Sequence, residues 1–156
     1  MKKFLQITLL LSFSLIASHA MAQDATTTNG SVWQIQYIKI KTGKGADFTK
    51  WMREYRTRVL TEQKKAGLIL DYKFFTKPSF DNAPGDWSIA GAVLYRNYAE
   101  ALDAANEERG KKFLEIRDKV FGSAENQRKI FTELRDPSSE LVSVRLIREL
   151  IYNPVK

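Results

Sequence analysis

The sequence predicts an α+β fold, an antiparallel βαββαβ sheet with its helices on one face and one extra helix before the last strand. Three observations carry that prediction. Four short stretches, two alternating in polarity and one continuously apolar, read as strands, and apolar residues recur with a period near 3.6 in the segments between them. The stretches come in the order strand, helix, strand, strand, helix, helix, strand, with Gly or Pro at most of the joins. The chain of 156 residues has no cysteine, so stability must come from packing, and its length suits one adequate core.

Residues 1–22 stand outside this pattern. Lys2 and Lys3 precede an apolar run from Phe4 to Ala17, and Ala20-Met21-Ala22 places small residues where a signal peptidase reads them. The run is shorter than the roughly 20 residues a spanning helix needs, and no later run is long enough. The expectation is a cleaved signal peptide, no membrane span, and a periplasmic or secreted product without a lipoprotein cysteine. Cleavage removes His19, the only histidine. Histidine-ligated haem, zinc held by His or Cys, a Ser-His-Asp triad and cysteine nucleophiles are thereby excluded from the mature chain, and no cofactor is expected. The formal net charge of +7 falls to +5 when Lys2 and Lys3 leave. The remaining cations are interleaved with acids, Lys111-Lys112 with Glu107-Glu108 and Arg117 and Lys119 around Asp118. That is a solvated mixed surface with no nucleic-acid stripe.

Residues 23–31 (QDATTTNGS) are small, polar and aperiodic, which predicts a flexible tether, and one α+β domain follows over 32–156. In the first strand, 32–41, Gln34 and Gln36 alternate with Trp33, Ile35 and Tyr37. Thr42-Gly43-Lys44-Gly45 is a turn that lacks the spacing of a phosphate loop. A long amphipathic helix over 46–66 aligns Phe48, Trp51, Met52, Tyr55, Val59, Leu60 and Gln63, and Gly67 stops it. The second strand is 68–77, and 78–86 is a loop with two prolines. There Asp81, Asn82 and Asp86 read as turn residues, and no metal site is expected. The third strand, 87–95, is continuously apolar, as a central strand covered on both faces would be. Asn97 with Glu100 forms a capping box for a helix over 98–121, ended by Gly122. Ser123 caps the extra helix to residue 135, Asp136-Pro137-Ser138-Ser139 turns the chain, and 141–152 is the last strand.

This order is the ferredoxin-like plan. It leaves one sheet face uncovered, and an apolar open face is an association surface. The strand VWQIQYIKIKTGKGADF running into a Trp- and Tyr-bearing helix, and DWSIAGAVLYRN leading into YAEALDA, resemble the dimeric α+β barrel superfamily that holds the antibiotic-biosynthesis monooxygenase-like and NIPSNAP-like domains. The resemblance covers 32–152 in element order and texture and includes no catalytic motif. It implies a homodimer closed by two sheets face to face.

The polar sides of the strands offer Gln34, Gln36, Asp71, Lys73, Ser88 and Arg145, with Trp33, Tyr37 and Trp87 near them in sequence. In a dimeric barrel these nine residues are the candidates to line a ligand cavity, Arg145 holding an anionic group. The alternative is a wetter sheet face or polar groups at a dimer contact. No catalytic residue is identifiable. The expected function is an exported, non-catalytic protein that binds a small, partly apolar ligand or serves as an interaction module. The alternative is a cofactor-free oxygenase or isomerase acting on an aromatic or quinone-like substrate, which the resembled group implies.

Overall fold

A computed structural model describes residues 27–77, 86–102 and 107–154. The expected leader, most of the two-proline loop and residues 103–106 of the expected second helix lie outside the described residues. The chain divides into a main unit, Asn29–Glu149, and a small unit of chain ends, Met1–Thr28 with Leu150–Lys156. In the small unit Leu150, Ile151 and Tyr152 are exposed.

Strand β1 spans Thr27–Ile40, so it begins inside the segment expected to be a tether. Its hydrogen-bonded neighbour is β4, Ser139–Tyr152. Gly30 lies against Glu149, where a Cβ would come within 2.8 Å of the Glu149 Cβ, and the Lys41 amide donates to the Ser138 carbonyl at 3.0 Å. The two strands are therefore antiparallel, and a partner offering ladder bonds orders backbone whose own composition is too polar to suggest a strand. Helix α1 runs over Gly45–Trp51, opens into a π-turn at Met52–Arg56 and continues over Thr57–Lys65. Strand β2 is Asp71–Thr76 and β3 is Ile89–Tyr95.

Helix α2 covers Tyr98–Leu102 and α3 covers Glu107–Phe121. The Glu100 amide donates to Asn97 Oδ1 at 2.9 Å, the expected cap. Helix α4 begins at Ala124–Ile130, capped by Ser123 as expected, passes through a second π-turn at Phe131–Arg135 and ends in Asp136–Ser138. The expected turn at Asp136 is thus a last helical turn, because proline fits the start of a helical segment without losing a needed donor.

The sheet order is β2-β3-β1-β4, antiparallel, which is the ferredoxin-like topology. β3 is central, as its apolar run predicts. The register settles which side is covered. Tyr72 pairs with Val93, Phe74 with Gly91 and Gln34 with Val93. Val93 belongs to a buried cluster with Leu60 of α1 and Ile69, and Tyr72, Phe74 and Tyr95 pack on it. One face, carrying Val32, Gln34, Gln36 and Ile38, therefore meets the helices. The second buried cluster, Leu68, Ile116, Val120 and Phe121, joins α3 to Tyr55 and Val59 of α1. Helices cover this face of β3, as the expected plan of helices on one side requires. Ala90 and Ala92, on the other face, are buried at 3% and 2% because they are small and sit between larger cross-strand partners, Tyr37 and Phe75 for Ala90, Ile35 and Lys73 for Ala92.

Candidate functional site

The open face is built from alternate residues of three paired strands: Trp33, Ile35 and Tyr37 of β1, Ala90, Ala92 and Leu94 of β3, and Lys73 and Phe75 of β2. Two groups of expected site residues meet there. Trp33 lies under the Lys73 ammonium, 5.3 Å from the ring centroid, and its Nε1 donates to Glu149 Oε1 at 2.9 Å. Tyr37 and Trp87 form an edge-to-face pair at 5.3 Å. Beside that pair is an open cavity of about 450 Å³ that Arg145, Val142 and Ile147 of β4 also line. Phe75, Val142 and Ile147 are 49%, 42% and 49% exposed, so apolar area continues from the aromatic centre onto the β4 edge.

Of the other expected residues, Asp71 shares the open face, opposite Leu94 in the Trp33 row, while Gln34, Gln36 and Ser88 are placed elsewhere. Gln34 and Gln36 are on the helix-facing side, where Gln36 Oε1 accepts from Arg56 Nη2 at 3.3 Å. Asp71 is held by Lys64 of α1 at 2.7 Å. That hydrogen bond, with a second from the Tyr72 backbone, keeps its carboxyl below the usual carboxylate range. Ser88 Oγ accepts from the Ile40 amide at 3.0 Å and joins the ends of β1 and β3. The nine candidates do not form one cavity, because a period of two tells which residues share a face of one strand and nothing about which faces of different strands coincide.

Asp86 borders the open-face cavity. It is paired with Lys77 at 2.7 Å and accepts from the Trp87 amide, also at 2.7 Å. The lysine first and that amide second depress its pKa. Two of the carboxylates at this face, Asp71 and Asp86, are thus held ionised. A general base works best with a pKa near the operating pH, so neither is tuned for proton transfer at neutrality.

On the covered side sequence reasoning found Gln36 but not the two arginines beside it. Arg56 and Arg135 are the last residues of the two π-turns and both line a cavity of about 210 Å³ that Gln36 and Trp51 border. A π-turn inserts a residue into the helical repeat, so side chains leave the 3.6-residue stripe that a sequence reading follows.

No family model matches the chain, and no curated protein matches it. Solved structures of similar course include HapK from Hahella chejuensis, with 11% identity, 80% of this chain and 98% of that chain covered, and a TM-score of 0.45. A dimeric protein of unknown function and ferredoxin-like fold from Bacteroides fragilis has 16% identity, covers 77% and 95%, and gives 0.41. A dimeric ferredoxin-like protein from an uncultured marine organism has 13% identity, covers 83% and 93%, and gives 0.40. The ferredoxin-like fold of this chain rests on its own strand order.

Proposed function

We propose that this protein is an exported, non-catalytic homodimer in which a second copy covers the open sheet face and encloses a small, partly apolar ligand beside Tyr37, Trp87 and Arg145. The observation that carries the reading is the exposed apolar surface from Phe75 across Ala90 and Tyr37 to Trp87, Val142 and Ile147. Such an area on one face is an association surface. An identical copy suits it because a two-fold contact places the same apolar band on both sides. The face also carries both signs of charge, Lys73 and Arg145 with Glu149 and Asp86, so two copies need not repel. Export is supported by the leader at residues 1–22. Binding is favoured over turnover by the two lysine-held carboxylates.

The test is a double substitution, Val142→Asp with Ile147→Asp, measured by size-exclusion chromatography with light scattering. Leu114→Asp is the control, since Leu114 is 51% exposed on α3. The β4 variant is expected to elute as a monomer and the control as a dimer. A β4 variant that stays dimeric, or a control that dissociates equally, defeats the proposal.

A further inference from the structure

The cavity between α1, α4 and the covered sheet face is built unlike a structural gap. Arg56 is partly buried and makes no ion pair among the described residues. Among the described residues its side-chain hydrogen-bond partner is the neutral amide of Gln36. The titratable groups around it are the Tyr95 phenol, kept neutral by burial, and a second cation, Arg135. Arg135 is itself committed on one edge only, Nε to Asp136 Oδ1 at 3.2 Å, with its plane on the Phe131 ring at 5.0 Å.

Trp51 is 7% exposed and its indole Nε1 is a buried donor without a partner. A buried unsatisfied donor costs about 1–3 kcal/mol, and a desolvated charge needs a counter-charge. Two cations on one small cavity share a single remedy, which is an anion. The remaining walls are Ile38, Phe131 and Leu141, so the body of the ligand is apolar. A space of about 210 Å³ equals about seven waters at ~30 Å³ each, which limits the ligand to a compact molecule.

We infer that this cavity is a binding site for a small organic monoanion, a carboxylate on a compact apolar body, with Arg56 and Arg135 taking the carboxylate and the Trp51 ring forming part of the wall. The site lies on the opposite side of the sheet from the face proposed to associate, and it stands whether or not the protein dimerises. Arginine suits the role because its planar fork meets a carboxylate with two parallel bonds.

The test is a titration with benzoate, followed by the ¹H–¹⁵N resonance of the Trp51 indole, which is assigned through Trp51→Phe. Benzamide, of the same shape without charge, and inorganic phosphate, an anion without an apolar body, are titrated in parallel. Benzoate is expected to move the Trp51 resonance saturably. Arg56→Gln is expected to weaken it about tenfold or more, the worth of a charge-assisted hydrogen bond, and Arg56→Lys to restore part of that loss. Should Arg56→Gln fail to fold, Arg135→Gln carries the same requirement. The inference is overturned if benzoate leaves the resonance unmoved, if benzamide or phosphate binds as tightly as benzoate, or if the folded arginine variant binds it like the parent.

Discussion

Replacing Arg56 with methionine should stabilise the ligand-free protein. The methionine stem follows much of the arginine path, so the packing lost against Ile38 and Trp51 is small. The hydrogen bond to Gln36, at 3.3 Å, is long and is worth about 0.5–1 kcal/mol. Against it stand a partly buried guanidinium without a carboxylate and its repulsion by Arg135, which together with burial push the arginine's pKa down. Fully buried unpaired charges cost several kcal/mol. Discounted for the partial exposure of Arg56, relief of about 1–2 kcal/mol is reasonable, for a net gain of about 1 kcal/mol. For a domain of this size that raises Tm by about 4 °C. Urea unfolding followed by far-UV circular dichroism, with the slope m checked for constancy, reads the difference directly. A loss of more than about 1 kcal/mol would refute the reasoning, because it would mean that Arg56 already has a stabilising partner.

Other consequences are more conventional. Leu60 is 1% exposed and touches Ile69 and Val93, so Leu60→Ala should cost about 3 kcal/mol in the same unfolding assay. Gly122 ends α3 at φ +83° with no atom near its missing Cβ, so Gly122→Ala should cost about 1 kcal/mol from the backbone alone. Glu62, Asp71, Asp86 and Asp118 are all held below the usual carboxylate range, chiefly by hydrogen bonds from Lys119, Lys64, Lys77 and Arg117 respectively. Their folded pKa values lie below the unfolded ones. The stability they add is therefore complete above pH ~4.5 and is lost as pH falls through the folded values. The urea midpoint should decline below that pH, and less steeply in Asp86→Asn, where one of the four groups is gone.

The order of elements was legible because the hydrophobic period switches between two and 3.6 where the chain changes structure, and because Gly67, Gly122, Asn97 and Ser123 mark helix ends chemically. Three things were not. In β1 the alternation of Gln34 and Gln36 with Trp33, Ile35 and Tyr37 is plain, yet alternation alone does not say which of the two sides the helices cover. The register places the glutamines toward the helices, where Gln36 meets Arg56, and leaves the aromatic side open. Only pairing with β3 and contact with α1 decide that, and both are nonlocal. Likewise the π-turns at Met52–Arg56 and Phe131–Arg135 leave no mark in composition, so the two arginines they position could not be joined by sequence. The start of β1 at Thr27 was hidden for the same reason, since its ladder partner lies more than a hundred residues away.

The claim that two copies meet through the open sheet face is tested most directly by sedimentation equilibrium of the purified mature protein at micromolar concentration. The expected result is a single species of twice the chain mass, converted to the monomer by the paired aspartates at positions 142 and 147. A species of one chain mass across that concentration range contradicts it.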